Sequence, residues 1–335
     1  MNLPPIATTT VGSFPRPHWL SDRERSEVRF RLEGELLREA QDDATIVILH
    51  EQERSGLDLL TDGEQRRPHF INHLLAALDG IDLVNRRDKS IRRRSDVQRS
   101  VPRVVGAIRR RDVAVVGDLL FAKAHTSRPI KMAVPGPMTV VDTTFDEHYH
   151  DEEKLALDVA AAINEELLAL EAAECEVAQI DEPAMTRWHE KVAAYGLKAL
   201  NRCLEGVTMP VIVHLCYGYP GGGQRQHEYE YPELLEMLMR TPVAGFSVEF
   251  ARSGFDPALL AICKDRIVVF GCVDPGENSE TSDTVTARVR KALDVVDPER
   301  LWLAPDCGLM TIERDLALAK ARLLAAVARE LRAEL

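Results

Sequence analysis

DEEKLALDVAAAINEELLALEAAECEVAQIDEP, residues 151–183, contains the pattern that decides the fold. Apolar residues recur at helical spacing over 151–174, and a short apolar run follows at Glu176–Ile180. That run ends in the polar tripeptide DEP, residues 181–183. A long amphipathic helix that leads into a short buried strand is typical of the repeating unit of a parallel α/β sheet.

The same alternation extends along the chain in both directions. Further helical patterns occupy 32–56, 231–242 and about 312–334. Eight apolar runs are predicted strands, and besides Glu176–Ile180 they are Ala7–Gly12, Leu57–Thr61, Ile130–Val134, Val211–Leu215, Gly245–Val248, Ile267–Gly271 and Leu301–Ala304.

Polar tripeptides lie at or near the ends of these runs: VGS (11–13), DGE (62–64), PGP (135–137), DEP (181–183), HLC (214–216), VEF (248–250), CVD (272–274) and DCG (306–308). In a barrel the carboxyl ends of the strands meet on one face, where active sites lie. The sequence therefore predicts an α/β fold, a (β/α)8 TIM barrel that forms one catalytic domain over 1–335.

One segment, about 81–129, interrupts the alternation and predicts a basic insertion between barrel strands 2 and 3. It holds eleven Arg or Lys residues between positions 86 and 111. VPRVVGAI (101–108) and DVAVVGDL (112–119) are predicted strands of an inserted hairpin. The insertion is interpreted either as a solvated hairpin lid or as a docking surface for an acidic partner or an anionic substrate.

Composition narrows the class of protein. The chain has 335 residues, of which 45% are hydrophobic, and a formal charge of −12, which disfavours nucleic acid and anionic membranes as partners. No apolar run approaches the roughly 20 residues of a membrane span. MNLPPIATTTVGSFPRP (1–17) lacks the features of a signal peptide, so we expect a cytoplasmic protein without a disulfide framework for its six cysteines.

Potential metal ligands follow three of the predicted strands. His214 and Cys216 are two residues apart and so project to the same face of their strand. Glu249 and Cys307 end two other predicted strands. Two thiolates, an imidazole and a carboxylate would form a tetrahedral Zn2+ site. The alternative interpretation is a buried cysteine beside a hydrogen-bonded histidine.

These residues lie in segments that match a known family. HLC (214–216), SVE (247–249) and PDCGL (305–309) resemble zinc-ligand segments of cobalamin-independent methionine synthase, and so, in the same order, do TTTVGSFPRP (8–17), TDGEQRR (61–67), PGPMTV (135–140) and QIDEPAM (179–185). The resemblance covers essentially the whole chain and is closest to the short core members. It implies a (β/α)8 barrel, a catalytic zinc and transfer of a methyl group to the sulfur of homocysteine.

The resemblance also implies roles for single residues. The zinc ligands would be His214, Cys216, Glu249 and Cys307. Our own hypothesis is that the substrate sulfur displaces Glu249, because a carboxylate oxygen can retreat as the sulfur arrives and keep the coordination number near four. The amino and carboxylate groups of homocysteine would be held by residues matching Ser13, Glu64 and Asp181. Carboxylates suit an ammonium group, and a backbone N–H with a hydroxyl suits a carboxylate.

Two departures from the family pattern concern the methyl donor. The family places a tryptophan that stacks on methyl-folate where this chain has Thr143, and it places a histidine after the seventh strand where this chain reads GCVDPGENSE (271–280). We therefore expect a methylated corrinoid as the donor, free or on a small protein that docks on the basic 86–111 segment. The loop YGYPGGGQRQHEYEYPE (217–233) is a candidate lid.

Two other functions remain open on the sequence. One is a zinc-dependent thiol alkyltransferase of the epoxyalkane:coenzyme M transferase type, against which Glu64 and Asp181 argue because coenzyme M has no ammonium group. The other is a scaffold protein without catalytic activity that a structural zinc stabilises.

Overall fold

A computed structural model describes residues 3–22, 28–91, 98–217, 231–276 and 280–335. Its strands are β1 (Ser21–Asp22), β2 (Arg29–Phe30), β3 (Leu78–Ser90), β4 (Gln98–Arg110), β5 (Lys131–Pro135), β6 (Phe145–Asp146), β7 (Val177–Asp181), β8 (Val211–Leu215), β9 (Gly245–Glu249), β10 (Ile267–Val273) and β11 (Leu301–Pro305). Its α-helices are α1 (Gly34–Ser55), α2 (Phe70–Leu75), α3 (Val116–His125), α4 (Pro137–Asp142), α5 (Glu152–Ala172), α6 (His189–Lys191), α7 (Leu197–Cys203), α8 (Tyr231–Leu238), α9 (Ser282–Leu293) and α10 (Arg314–Arg332). A π-helical turn (Val192–Gly196) and a 3-10 helix (Pro257–Cys263) complete the helical elements of these ranges.

Six strands form the main sheet in the order β11-β10-β9-β8-β7-β5. Parallel bridges at Thr8–Leu303 and Leu60–Ile130 add one stretch of chain at each edge. The Leu59 N–H donates to the carbonyl of Thr8 at 3.0 Å and so joins these two stretches. The pairings thus return to the strand at which they began, as in an eight-stranded barrel.

The strands are buried as their sequences predict. Every residue of β5, β8, β9 and β11 is buried. Parallel strands are covered on both faces, so they are mainly apolar instead of alternating, and the exceptions here are Lys131, His214, Ser247 and Glu249. Charged and ligand-forming side chains can therefore reach solvent or substrate only where these strands end.

The first two predicted strands are shorter than expected, because side chains take up their backbone hydrogen bonds. The Asp58 carboxylate accepts the Thr8 N–H at 2.9 Å. The Gln52 side chain accepts the N–H of Thr61 at 3.1 Å and donates to its carbonyl at 2.7 Å. Over Ala7–Gly12 and Leu57–Thr61 the described chain forms single bridges where the sequence predicted full strands.

An antiparallel hairpin of β3 and β4 occupies much of the basic segment. VPRVVGAI (101–108) lies in β4, as predicted. The strand predicted over DVAVVGDL (112–119) is wrong, because α3 begins at Val116. The N–H groups of Ala114 and Val115 donate to the Glu166 carboxylate at 3.0 and 2.7 Å, which supplies the partner that a neighbouring strand would have offered. Residues 92–97, at the predicted basic turn, lie outside the described ranges.

The chain groups into two compact units. The first comprises Met1–His69, Asp118–Ala133 and Ala244–Leu335, and it includes α1, α3, α9, α10 and β9 to β11. The second comprises Phe70–Gly117 and Val134–Val243, and it includes the hairpin, β7, β8, α2 and α4 to α8. Within the described ranges, no helix has the length and apolar character needed to cross a membrane.

Within the first unit, the last helix is attached to the first residues of the chain. The Arg332 guanidinium in α10 donates to the carbonyls of Pro5 and Ile6 at 2.7 and 2.9 Å and pairs with Asp58. The Ile6 N–H donates to the carbonyl of Pro298 at 2.6 Å. These bonds fix the edge of the sheet at which Thr8 pairs with Leu303.

Candidate metal centre

The four predicted metal ligands lie together. One potential ligand atom from each of His214, Cys216, Glu249 and Cys307 lies within 4.8 Å of the other three. The first three residues are buried and Cys307 is half-buried. Zinc bonds of about 2.0–2.3 Å to a tetrahedral centre separate neighbouring ligand atoms by roughly 3.3–3.8 Å. The donor set therefore suits such an ion, and the 4.8 Å limit exceeds the separation in a tetrahedral zinc site by only about 1 Å.

The end of β8 holds two of these residues in place. His214 is its fourth residue and Cys216 follows the strand directly. The His214 carbonyl accepts the N–H of Glu182 at 2.9 Å. The Cys216 carbonyl accepts the hydroxyl of Thr186 at 3.0 Å. Both carbonyls are thus fixed by the segment after β7, which restricts where the imidazole and the thiol can point.

Asp181, the last residue of β7, is paired in register with His214 on β8. Its carboxylate accepts a hydrogen bond from the Gln179 amide at 2.7 Å and remains partly exposed. The predicted substrate-binding carboxylate therefore lies on the strand next to a predicted metal ligand.

Ser13 lies against the turn that carries Cys307. A Cβ atom at Gly308 would lie 2.2 Å from the Ser13 hydroxyl oxygen, so only glycine leaves room for that hydroxyl. The Ser13 carbonyl accepts the Leu309 N–H at 2.8 Å. The predicted hydroxyl ligand of the substrate carboxylate is thus next to a predicted metal ligand.

Glu64 is buried and has a backbone φ of +54°, a conformation that is rare outside glycine. Its carboxylate lies over Gly12, where an added Cβ would be 2.7 Å from Oε1. Because Gly12 precedes Ser13, the structure brings Glu64 close to the backbone that carries Ser13.

Two arginines that were not predicted as site residues, Arg16 and Arg67, hold the turn over 61–67. Arg16 donates to the carbonyls of Glu64 and Arg67, both at 2.5 Å, and to that of Gln65 at 3.3 Å. Burial lowers the pKa of Arg16 to about 10, against the raising effect of the Glu64 and Asp62 carboxylates. The unusual conformation of Glu64 is therefore fixed through its own carbonyl.

Arg67 is the second of these arginines and is almost fully buried. Its guanidinium pairs with Asp62 at 3.1 Å and donates to the Ala133 carbonyl at 2.8 Å. Burial by itself lowers the pKa of Arg67, but the carboxylates of Asp62, Glu64 and Asp118 outweigh it and raise the pKa. The signal for both arginines was present in the quoted motifs TTTVGSFPRP and TDGEQRR, although their role depends on tertiary contacts.

Glu182 belongs to the DEP tripeptide but was not predicted as a site residue. Its carboxylate is fully buried and accepts the N–H groups of Met138 and Thr139 at 2.9 and 3.0 Å and the Thr139 hydroxyl at 2.8 Å. Burial raises the pKa of Glu182 to about 7, and these hydrogen bonds oppose the shift. A Cβ at Gly136 would overlap this carboxylate. Glu182 therefore attaches α4 to the end of β7.

A cavity of about 140 Å³ lies in the second unit beside α4, and its lining includes Met138, Asp142 and Trp188. The Trp188 indole N–H donates to Asp142 at 3.2 Å. Lys89 of β3 closes one side and donates to the carbonyls of Val141 and Thr144, both at 2.8 Å. The hairpin thus contributes a cation to the wall of this cavity.

Thr143, the residue at the position of the family's tryptophan, follows α4 directly. Its hydroxyl donates to the carbonyl of Thr139 at 2.6 Å. The side chain is therefore bonded back onto the helix and presents no flat surface. Of the candidate lid 217–233, residues 218–230 lie outside the described ranges, so the lid remains a prediction.

Comparison with known proteins identifies the family. The family model that describes the cobalamin-independent synthase catalytic domain matches residues 6–330 of this chain. The chain belongs to the cobalamin-independent methionine synthase family. The family resemblance inferred from the motifs is thereby confirmed, and membership in this family supports a methyltransferase of the methionine synthase type.

Relatives in this family match along nearly their whole length. A methionine synthase of Sulfurisphaera tokodaii is 31% identical over 320 residues, which are 95% of this chain and 90% of the relative. A methionine synthase of Pyrococcus abyssi is 30% identical over 323 residues, which are 96% and 91% of the two chains.

Solved structures of the family confirm the predicted fold. A B12-independent methionine synthase from Shewanella, solved in complex with selenomethionine, is 34% identical, covers 99% of each chain and has a TM-score of 0.93. A putative vitamin-B12-independent methionine synthase from Listeria monocytogenes, at 22% identity, has a TM-score of 0.77 over 99% of each chain and supports the fold alone. The (β/α)8 TIM barrel is therefore correct.

Proposed function

We propose that this methyltransferase is zinc-dependent and methylates the thiolate of homocysteine to form methionine. The observation that carries the proposal is the approach of His214, Cys216, Glu249 and Cys307 to within 4.8 Å of one another. Two thiolates and an imidazole favour zinc over magnesium or calcium. A zinc ion held there would lower the pKa of the substrate thiol and leave its sulfur nucleophilic.

The chain's own residues would bind and orient the amino acid. Glu64 and Asp181 offer carboxylates to the substrate ammonium group, and Ser13 offers a hydroxyl to its carboxylate. Ser13 lies beside the turn that carries Cys307, and Asp181 pairs with His214. An amino acid held by its polar end at these residues would direct its side-chain sulfur toward the four ligands.

The transfer itself is a displacement at carbon. A sulfur–carbon bond forms as the bond between the methyl carbon and its donor breaks, and the electron pair of the broken bond stays on the donor. The thiol proton is released before the attack, since only the thiolate is a competent nucleophile.

For the donor we propose a methylated corrinoid in preference to polyglutamyl methyl-folate. Thr143 directs its hydroxyl to the Thr139 carbonyl and offers no aromatic surface for a pterin. The segment 271–280 contains no histidine that could deliver a proton to a bound folate.

A comparison of donors tests the proposal. Zinc-loaded protein is incubated with homocysteine and either methylcobalamin or methyl-folate, and methionine is measured. We expect methionine from methylcobalamin and little from methyl-folate. Methionine from methyl-folate alone would overturn the choice of donor. A product from coenzyme M and an epoxide, with none from homocysteine, would overturn the acceptor and favour the alkyltransferase function.

X-ray absorption at the zinc edge tests the acceptor separately. The four ligands predict two sulfur neighbours in the resting protein, and bound homocysteine adds its own sulfur. An unchanged sulfur count on addition of homocysteine would contradict direct binding of the substrate thiol to the metal.

A further inference from the structure

Asp306, which directly precedes Cys307, has a buried carboxylate bonded to the segment that follows Glu249. Its Oδ1 accepts the N–H groups of Phe250 and Ala251, both at 3.0 Å. Its Oδ2 accepts the N–H of Arg252 at 2.6 Å. Asp306 is 1% exposed, so these bonds form away from water, where bonds to a charged acceptor are strong.

The carboxylate reaches past an intervening strand. In the sheet, β10 lies between β11, which precedes Asp306, and β9, which ends at Glu249. The space comes from Gly271 on β10, where an added Cβ would lie 2.5 Å from Oδ1 of Asp306. The Gly271 carbonyl also accepts the N–H groups of Phe250 and Ala251, both at 3.0 Å.

Building on the proposed function, in which Glu249 and Cys307 hold zinc, we propose that Asp306 is a positioning residue that fixes the Glu249 carboxylate relative to the Cys307 thiol. Asp306 is not among the four clustered ligands. Asp306 directly precedes Cys307 in sequence. The three N–H groups that donate to its carboxylate belong to residues 250–252, which directly follow Glu249. Groups that orient ligands in this way typically contribute 10- to 100-fold to metal affinity.

The peptide geometry makes the link short. Phe250 is bonded directly to Glu249, so fixing its N–H fixes the plane of the peptide bond that leaves the ligand. The Glu249 carbonyl also accepts the Ser253 hydroxyl at 2.9 Å, which closes the turn. With this turn loosened, Glu249 would sample positions in which its carboxylate no longer meets the other three ligands.

The experiment compares Co2+ affinity and the visible spectrum of the bound Co2+ in the full chain and in three variants: D306N, E249Q and the double variant. The asparagine keeps one acceptor oxygen but presents an N–H to the N–H of Arg252. We expect D306N to bind Co2+ about 10- to 100-fold more weakly, with an altered spectrum. If Asp306 acts through Glu249, the double variant loses less affinity than the two single losses combined.

The matched control is D58N. Asp58 is also a largely buried carboxylate that accepts a backbone N–H, that of Thr8 at 2.9 Å, and it pairs with Arg332. It is not among the four clustered ligands. We expect D58N to lower the melting temperature while Co2+ affinity and spectrum stay as in the wild type.

The outcomes separate this inference from the function on which it rests. Wild-type protein that binds no Co2+ or Zn2+ overturns the proposed function. If the wild type binds Co2+ and D306N shows the same affinity and spectrum, only the role of Asp306 is overturned. The same holds if the affinity losses of D306N and E249Q add up exactly in the double variant. If D306N does not fold, hydrogen exchange of the metal-free wild type decides at the amide of Arg252, which donates to Oδ2 of Asp306: protection of this amide supports the role, and exchange at the rate of free peptide refutes it.

Discussion

At the scale of single residues, a substitution at Cys307 distinguishes a catalytic metal from a structural one. In C307S one of the four proposed ligands is lost, while the surrounding apolar core is unchanged. We expect a folded protein with weakened zinc binding and no turnover, measured by metal content, circular dichroism and methionine formation. The control is C263S, at a buried cysteine outside the cluster, which should keep zinc and activity. An unfolded C307S protein would indicate a structural zinc and favour the scaffold function.

Glu182 makes stability depend on pH. Its pKa is raised from 4.5 to about 7, so between these values the folded protein holds a proton that the unfolded chain has released. This contribution to stability is fully present below pH 4.5 and is lost as the pH rises through 7. From pH 5 to pH 8 we expect the wild type to lose roughly 2–3 kcal/mol more unfolding free energy than E182Q. Parallel profiles of the two proteins in urea titrations would contradict this.

The proximity of the candidate ligands was predictable because their chemistry is visible in the sequence, whereas the residues that support them were not. His214, Cys216 and Cys307 are residue types that bind zinc, and each lies in or shortly after the end of a predicted strand. Asp306 and Glu182 stand in the same motifs, but their importance comes from backbone N–H groups distant in sequence. A carboxylate in a motif does not reveal whether it faces a substrate or a main chain.

At the scale of elements, the turn over 61–67 depends on Arg16. R16M removes three hydrogen bonds to carbonyls from a largely buried cation, and we expect about 2–3 kcal/mol lower stability. Because Glu64 would lose its fixed orientation, KM for homocysteine should rise about tenfold with a smaller change in kcat. Urea denaturation and steady-state kinetics measure the two effects.

The control for this prediction is R38M. Arg38 on α1 is exposed and pairs with Glu35 at 3.7 Å, an interaction worth less than about 1 kcal/mol. R38M should leave stability and KM close to the wild type. Equal effects of the two substitutions would show that the Arg16 bonds have no special role in the turn.

Helices were predicted more closely than the first strands or the insertion. The pattern over 151–174 corresponds to α5, at Glu152–Ala172, because a long apolar stripe identifies a helix without reference to the rest of the fold. The stretch 112–119 was misassigned because short apolar runs fit a strand or a helix equally well. The deciding partner, Glu166, is some 50 residues away in sequence.

At the scale of the whole molecule, the apolar core and the metal should contribute separately to stability. We expect the metal-free protein to remain folded, because its strands are buried independently of the four ligands. Zinc at about 100 times its Kd should add about 2.7 kcal/mol, and thus a few degrees in melting temperature. Calorimetry with and without a chelator measures the shift. A chelated protein without a cooperative transition would show that the core does not suffice.

The attachment of Arg332 to Pro5 and Ile6 has a consequence for synthesis on the ribosome. A nascent chain that has reached residue 60 has supplied only one of the two neighbours of Thr8, since the other, Leu303, is made some 240 residues later. The first edge of the sheet therefore stays half-paired until Leu303 has been made. Contacts of such long sequence separation form late and leave an open edge prone to association, so the nascent chain should need chaperones most before β11 has emerged.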